Sequence, residues 1–175
     1  LYSMWTWIGV YVAASLIARG HPRPDHLGAL AAFSAVGAGA IGCVVAGFFA
    51  DRLGRARVAA WAMMVSATCT ALTAPAFHAP VAVLFVLASV WGFSVVADSA
   101  QFSTIVSETS PEEHVGTALT VQTCLGFLLT MFSIRLVSAV AGWVGWQWAF
   151  LIVLPGPVLG VQAMLALMHP KLEQE

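Results

Sequence analysis

The chain has 175 residues, 60% of them hydrophobic and only 9% charged. Soluble domains carry about 25% charged residues, so this composition excludes a soluble globular fold and points to an all-α, polytopic membrane protein. The formal net charge of -1 supplies no basic field for nucleic acid, and none is expected as a partner.

Crossing the ~30 Å hydrocarbon layer as helix takes about 20 apolar residues, and six segments meet or approach that length. The first covers 1–18. It begins at Leu1, inside an apolar run, which reads as a chain starting within a longer protein. The second covers 27–50, after Pro24, with Asp25 as the expected N-cap. It carries Gly39, Cys43 and Gly47 four residues apart, a small-residue stripe that lets another helix approach. The third covers 58–73. The fourth covers 81–107, with Pro80 in its first turn. The fifth covers 111–140 and opens on "SPEE": Ser110 as N-cap, Pro111 next, Glu113 three residues after the cap, the pattern of a capping box. The sixth covers 146–168. It holds Pro155 and Pro157 in "LPGP", where each proline removes a backbone donor and kinks a helix. Pro170 and a polar tail end it. Strands do not fit, because the runs are long and lack the alternation of a barrel.

Arginine and lysine set the orientation. Arg52, Arg55, Arg57 and Lys171 lie on the face shared by both termini, against Arg19 and Arg23 on the other. The positive-inside rule places the termini in the cytoplasm, which suits a bacterial inner (plasma) membrane. Trp143, Trp146 and Trp148 fall where an outer interfacial belt is expected. Cys43, Cys69 and Cys124 stand singly in apolar runs, so neither a metal site nor a cofactor is expected.

The charge in the loop after the second segment is patterned. In "GFFADRLGRARV", Gly47, Asp51, Arg52, Gly54 and Arg55 follow glycine, three residues, aspartate, a basic residue, any residue, glycine, basic residue. This resembles the signature loop of the major facilitator superfamily. Ala56 stands where the family often has a second basic residue, and Arg57 follows instead. The resemblance implies six transmembrane helices arranged as two inverted three-helix repeats. It further implies that the chain is a fragment of a twelve-helix transporter, half of a carrier that moves a small solute by alternating access. The missing start and short tail suggest the C-terminal half. The partners implied are the lipid bilayer, the other six-helix half of the same polypeptide, an unidentified small-molecule substrate and, as a further option, a coupling proton.

The side chains suit a gate. Gly47 would admit a neighbouring helix, Asp51 would pair with arginine near a helix end, and Gly54 would permit a tight turn. In the fourth segment Trp91, Ser94, Asp98 and Gln101 share one face at spacings of three, four and three. Asp98 lies ~27 Å along that helix from Pro80, level with the arginine loop. It is expected either as the counter-charge to Arg52 or Arg55 in the gate or as a proton-coupling carboxylate. The resemblance puts the first and fourth helices on the transport cavity, so Trp7, Tyr11, Trp91, Ser94 and Gln101 are candidate lining residues. Arg135, ~36 Å from Pro111 along the fifth helix, is expected to snorkel to the outer interface or to contact an anionic substrate. Gln122, Gly126 and Thr130 form a polar, small stripe on the same helix.

Two other functions compete. A six-helix channel lacks here any filter-like loop or repeated half-helix motif. An intramembrane enzyme of the rhomboid kind would use the serine of "GFSV", but no histidine lies inside a later helix to serve as its base. Enzymatic activity is therefore not expected.

Overall fold

The computed structural model describes residues 1–168. His169, Pro170 and Lys171, to which the sequence assigns the end of the last helix and one cytoplasmic charge, lie outside the described residues. The chain is a bundle of helices with no strand among the described residues: α1 Tyr2–Ala18, α2 Pro24–Leu53, α3 Arg55–Ala76, α4 Val81–Thr109, α5 Val115–Val144, α6 Trp146–Ala149 and α7 Pro155–Met168. Five stretches are long and apolar enough to cross a membrane, and Tyr2–Ala18 is a shorter apolar helix. The expected polytopic, all-α class is what is found.

Several helix ends differ from the sequence reading. Pro24 takes the first helical position of α2, so Arg23 is its N-cap and Asp25 falls in the first turn. There a carboxylate still faces the positive end of the helix dipole. The "SPEE" box does not form. Ser110 is extended (φ -88°, ψ 144°) and closes α4, a 3-10 turn runs Glu112–His114, and no side-chain cap bond is made. The cap position falls one residue late, on Pro111, whose side chain has no acceptor to offer. The sixth segment is broken rather than merely kinked. α6 is a single turn, Phe150–Val153 is 3-10 helix, and α7 starts at Pro155. Pro155 and Pro157 clash with the carbonyls four residues earlier and cannot donate to them. The tighter 3-10 spacing upstream accommodates both.

Packing of the bundle rests on small residues. The buried face of α2 is Gly28, Ala31, Ala35, Gly39, Gly42, Ala46 and Ala50, a three-four spacing that keeps one stripe inward. α2 lies along α4 and α1, while α3 lies between α4 and α7. At the α2–α4 crossing a Cβ on Gly92 would overlap the Ala35 carbonyl, and one on Gly42 would overlap the backbone of Phe93. Without a hydrophobic drive between helices in lipid, this backbone-to-backbone approach supplies van der Waals attachment. The expected stripe Gly39–Cys43–Gly47 is corrected accordingly. Gly39 packs, Cys43 is exposed, and a Cβ on Gly47 would meet nothing within 4 Å.

An aromatic cluster fills the centre. Phe150, delivered inward by the 3-10 segment, packs edge-on against Trp91 (4.9 Å between ring centres) and Tyr11 (5.7 Å). Tyr11 also meets Phe77 at 5.6 Å. Their polar atoms are satisfied within the bundle. Tyr11 Oη donates to the Thr73 carbonyl, Trp91 Nε1 to Ser66 Oγ, and Ser15 Oγ to the Phe77 carbonyl. Buried polar groups in a bilayer need such partners.

Candidate functional site

The α2–α3 connection is a single residue. Gly54 sits at φ +92°, ψ 137°, a left-handed conformation that only glycine adopts cheaply. It reverses the chain so that the last turn of α2 and the first turn of α3 lie side by side. Asp51 and Arg52 therefore belong to α2, and Arg55 and Arg57 to α3.

Arg55 is the hub of this turn. Its Nε donates to Glu108 Oε1 at 2.7 Å, and its Nη2 lies 3.4 Å from Asp51 Oδ1. One guanidinium thus ties together the ends of α2, α3 and α4, using the forked geometry that suits arginine for two carboxylates. Arg55 is about a quarter exposed, Glu108 about half and Asp51 about two thirds. Arg52 stands over the Phe48 ring at 4.2 Å, a cation–π contact. Arg57 is exposed and has no ion-pair partner among the described residues.

Two expectations about this cluster are corrected. A Cβ on Gly47 would meet nothing within 4 Å, so no helix of the described residues approaches there. Asp98 is not the counter-charge: it forms no ion pair among the described residues, and Glu108 holds Arg55 instead. Ten residues separate the two acids along α4, or ~15 Å at helical rise. Glu108 is the functional residue that sequence reasoning misses. A signal for it is present, since Glu108 lies seven residues, two turns, beyond Gln101 and so continues the same helix face. The expected fourth segment, 81–107, stops one residue short of it.

The expected lining residues are not brought together on an open wall. Tyr11, Trp91 and Ser94 are enclosed in the bundle's own core, and Gln101 is buried at 2% exposure with its Oε1 unpartnered. Ser94 Oγ donates to the Trp91 carbonyl on its own helix. Trp7 is half-buried; its Nε1 donates to the Ile134 carbonyl of α5, and its ring packs on Trp146. The open surface of α1 is a different face. A groove of about 410 Å³ runs between α1 and α2, walled by Trp5, Thr6, Val10, Ile17 and Trp146, with Asp25 at one end. Arg135 is exposed on α5 and makes no ion pair among the described residues. Gln122 on α5 keeps a buried, unpartnered Oε1. No cluster of metal-ligating side chains occurs among the described residues.

Searches of curated proteins and of solved structures found no match. A family model described as Major Facilitator Superfamily matches residues 1–174. With nearly the whole chain matched and long apolar helices throughout, this integral membrane protein belongs to the major facilitator superfamily, a family of membrane transporters of small solutes.

Proposed function

We propose that this chain is one six-helix half of a secondary carrier that moves a small solute by alternating access, with the other half supplied by the same polypeptide. The observation that carries the reading is the Arg55 hub. A one-residue glycine turn and two carboxylates fix three helix ends to one another on the basic face. Alternating access is rocking of one rigid bundle against another, and a bundle whose helix ends are cross-tied moves as a unit. The basic face is cytoplasmic, since Arg52, Arg55 and Arg57 outnumber Arg19 and Arg23 opposite. A bacterial inner membrane fits this arrangement.

The polar edge of α5 supports a second bundle as partner. Val137 and Ala141 are the only α5 residues buried. Yet the helix carries Gln122, whose enclosed Oε1 lacks a partner among the described residues, the half-buried Thr130, and Arg135 on a surface the chain leaves open. Such groups are costly against lipid tails and are accommodated by a facing bundle or a watered cavity. Asp98 is the candidate proton-coupling carboxylate, now that the gate pairing belongs to Glu108. Intramembrane carboxylates of this kind mark ion pathways by default. The groove of Trp5, Thr6 and Val10 replaces the Tyr11–Trp91 face as the α1 contribution to the solute path.

The test is solute flux in vesicles reconstituted with the full-length protein, run over a solute panel. Saturable uptake accelerated by solute on the far side supports a carrier. Linear, unsaturated flux supports a channel and sinks the reading. For the coupling role, Asp98→Asn should abolish proton-driven accumulation while leaving solute exchange intact; loss of neither removes Asp98 from the proton path.

A further inference from the structure

We infer that the bundle holds one anionic phospholipid in a lateral crevice beside the Gly54 turn. α2 and α3 both pack closely on α4 but touch each other little. Diverging away from their shared turn, they leave a cleft of about 290 Å³. Its α2 wall includes Val45, Phe49 and Leu53, its α3 wall Val58, Trp61 and Val65, and its floor Phe93 and Ala97 of α4. The lining is apolar, and it opens sideways from the bundle over residues within ~15 Å of the turn along each helix. An acyl chain matches that shape and chemistry.

The headgroup end is specified by charge. Arg57 lies four residues before Trp61 and so stands over the α3 wall. Arg52 lies three residues after Phe49 and seven after Val45, over the α2 wall. Arg55, between them, is already engaged by Asp51 and Glu108. Arg52 stands over the Phe48 ring, and neither it nor Arg57 has a carboxylate partner among the described residues. Two uncommitted guanidiniums thus cap one apolar slot at the membrane surface, with planar donor forks suited to a phosphodiester. The site stands on the α2–α3–α4 packing alone and does not require the transport reading.

The test is photo-labelling of the full-length protein in vesicles, with the crosslinker on the acyl chain of phosphatidylglycerol or phosphatidylcholine. The expected result is labelling of crevice residues such as Trp61 and Phe49 well above the exposed α5 residues Leu125 and Leu129, with phosphatidylglycerol preferred. Each arginine near an anionic headgroup is worth about 1 kcal/mol, so two give a preference of up to about thirtyfold. Arg52→Gln with Arg57→Gln should erase the preference, and the paired lysine variant should keep most of it, which separates charge loss from misfolding. Labelling no stronger than on α5 overturns the site. So does equal labelling by both lipids, or a crevice that crosslinks only to another helix of the protein.

Discussion

Replacing Glu108 by glutamine tests whether the Arg55 hub holds the helix ends of the bundle together as a unit. The substitution keeps shape and removes charge. Arg55 then keeps its 3.4 Å contact to Asp51 of α2 and at most a neutral hydrogen bond to the amide oxygen, so its hold on α4 weakens. The lost pair is short, 2.7 Å, but Glu108 is about half exposed. The range for exposed pairs therefore applies, and its upper end is about 1 kcal/mol. Applied to the arrangements with α4 tied and untied, that energy shifts their ratio by about fivefold. Spin labels across the basic face of the full-length protein would report the two populations. Glu108→Gln, Arg55→Gln and the double variant form a cycle. A coupling of about 0.5–1 kcal/mol is expected for side chains in direct contact. Additive effects would refute the hub, as would a Glu108→Gln variant with unchanged populations.

Gly92→Ala should destabilise the full-length protein by about 1–3 kcal/mol in a thermal melt, because the new methyl meets the Ala35 carbonyl and must push α2 from α4. Gly47→Ala, with open space around it, should be neutral or stabilising by up to about 1 kcal/mol through helix propensity. Gly54→Ala should cost about 1–3 kcal/mol from the left-handed backbone alone; a melt at the wild-type temperature would show that the turn had found another geometry. Ser66→Ala removes the acceptor of Trp91 Nε1 inside the core and should cost about 1–3 kcal/mol, the penalty for an orphaned buried donor.

The all-α membrane class and the signature turn were legible because each is a local property of the sequence. Runs of apolar residues announce spans, and Asp51 through Arg57 lie next to one another in the chain. What depends on a partner was not legible. Glu108 meets Arg55 across 53 residues, and a fourth segment ending at Ser107 leaves it out. Gly47 and Gly42 look alike in sequence, yet only Gly42 faces α4, because the inward stripe follows Gly28, Ala35 and Ala46 instead. Tyr11 and Trp91 have the spacing of a cavity wall but face the core. The reason lies at residue 150: the prolines of "LPGP" force a 3-10 turn that carries Phe150 between them. The "SPEE" box failed because the turn begins one residue late, with Pro111 rather than Ser110 in the cap position.

Alternating access is tested most directly by reciprocal accessibility along one groove. Thr6 and Ile17 of α1 line the same groove, eleven residues or ~16 Å apart. Single cysteines at these two positions of the full-length protein, in a background freed of Cys43, Cys69 and Cys124, would be reacted with an impermeant thiol reagent from each side of the membrane. The expected result is opposed protection: conditions that expose Thr6→Cys to the cytoplasmic reagent shield Ile17→Cys from the outer one, and the reverse. Simultaneous reaction at both positions, as a continuous water-filled pore would give, would contradict a carrier mechanism.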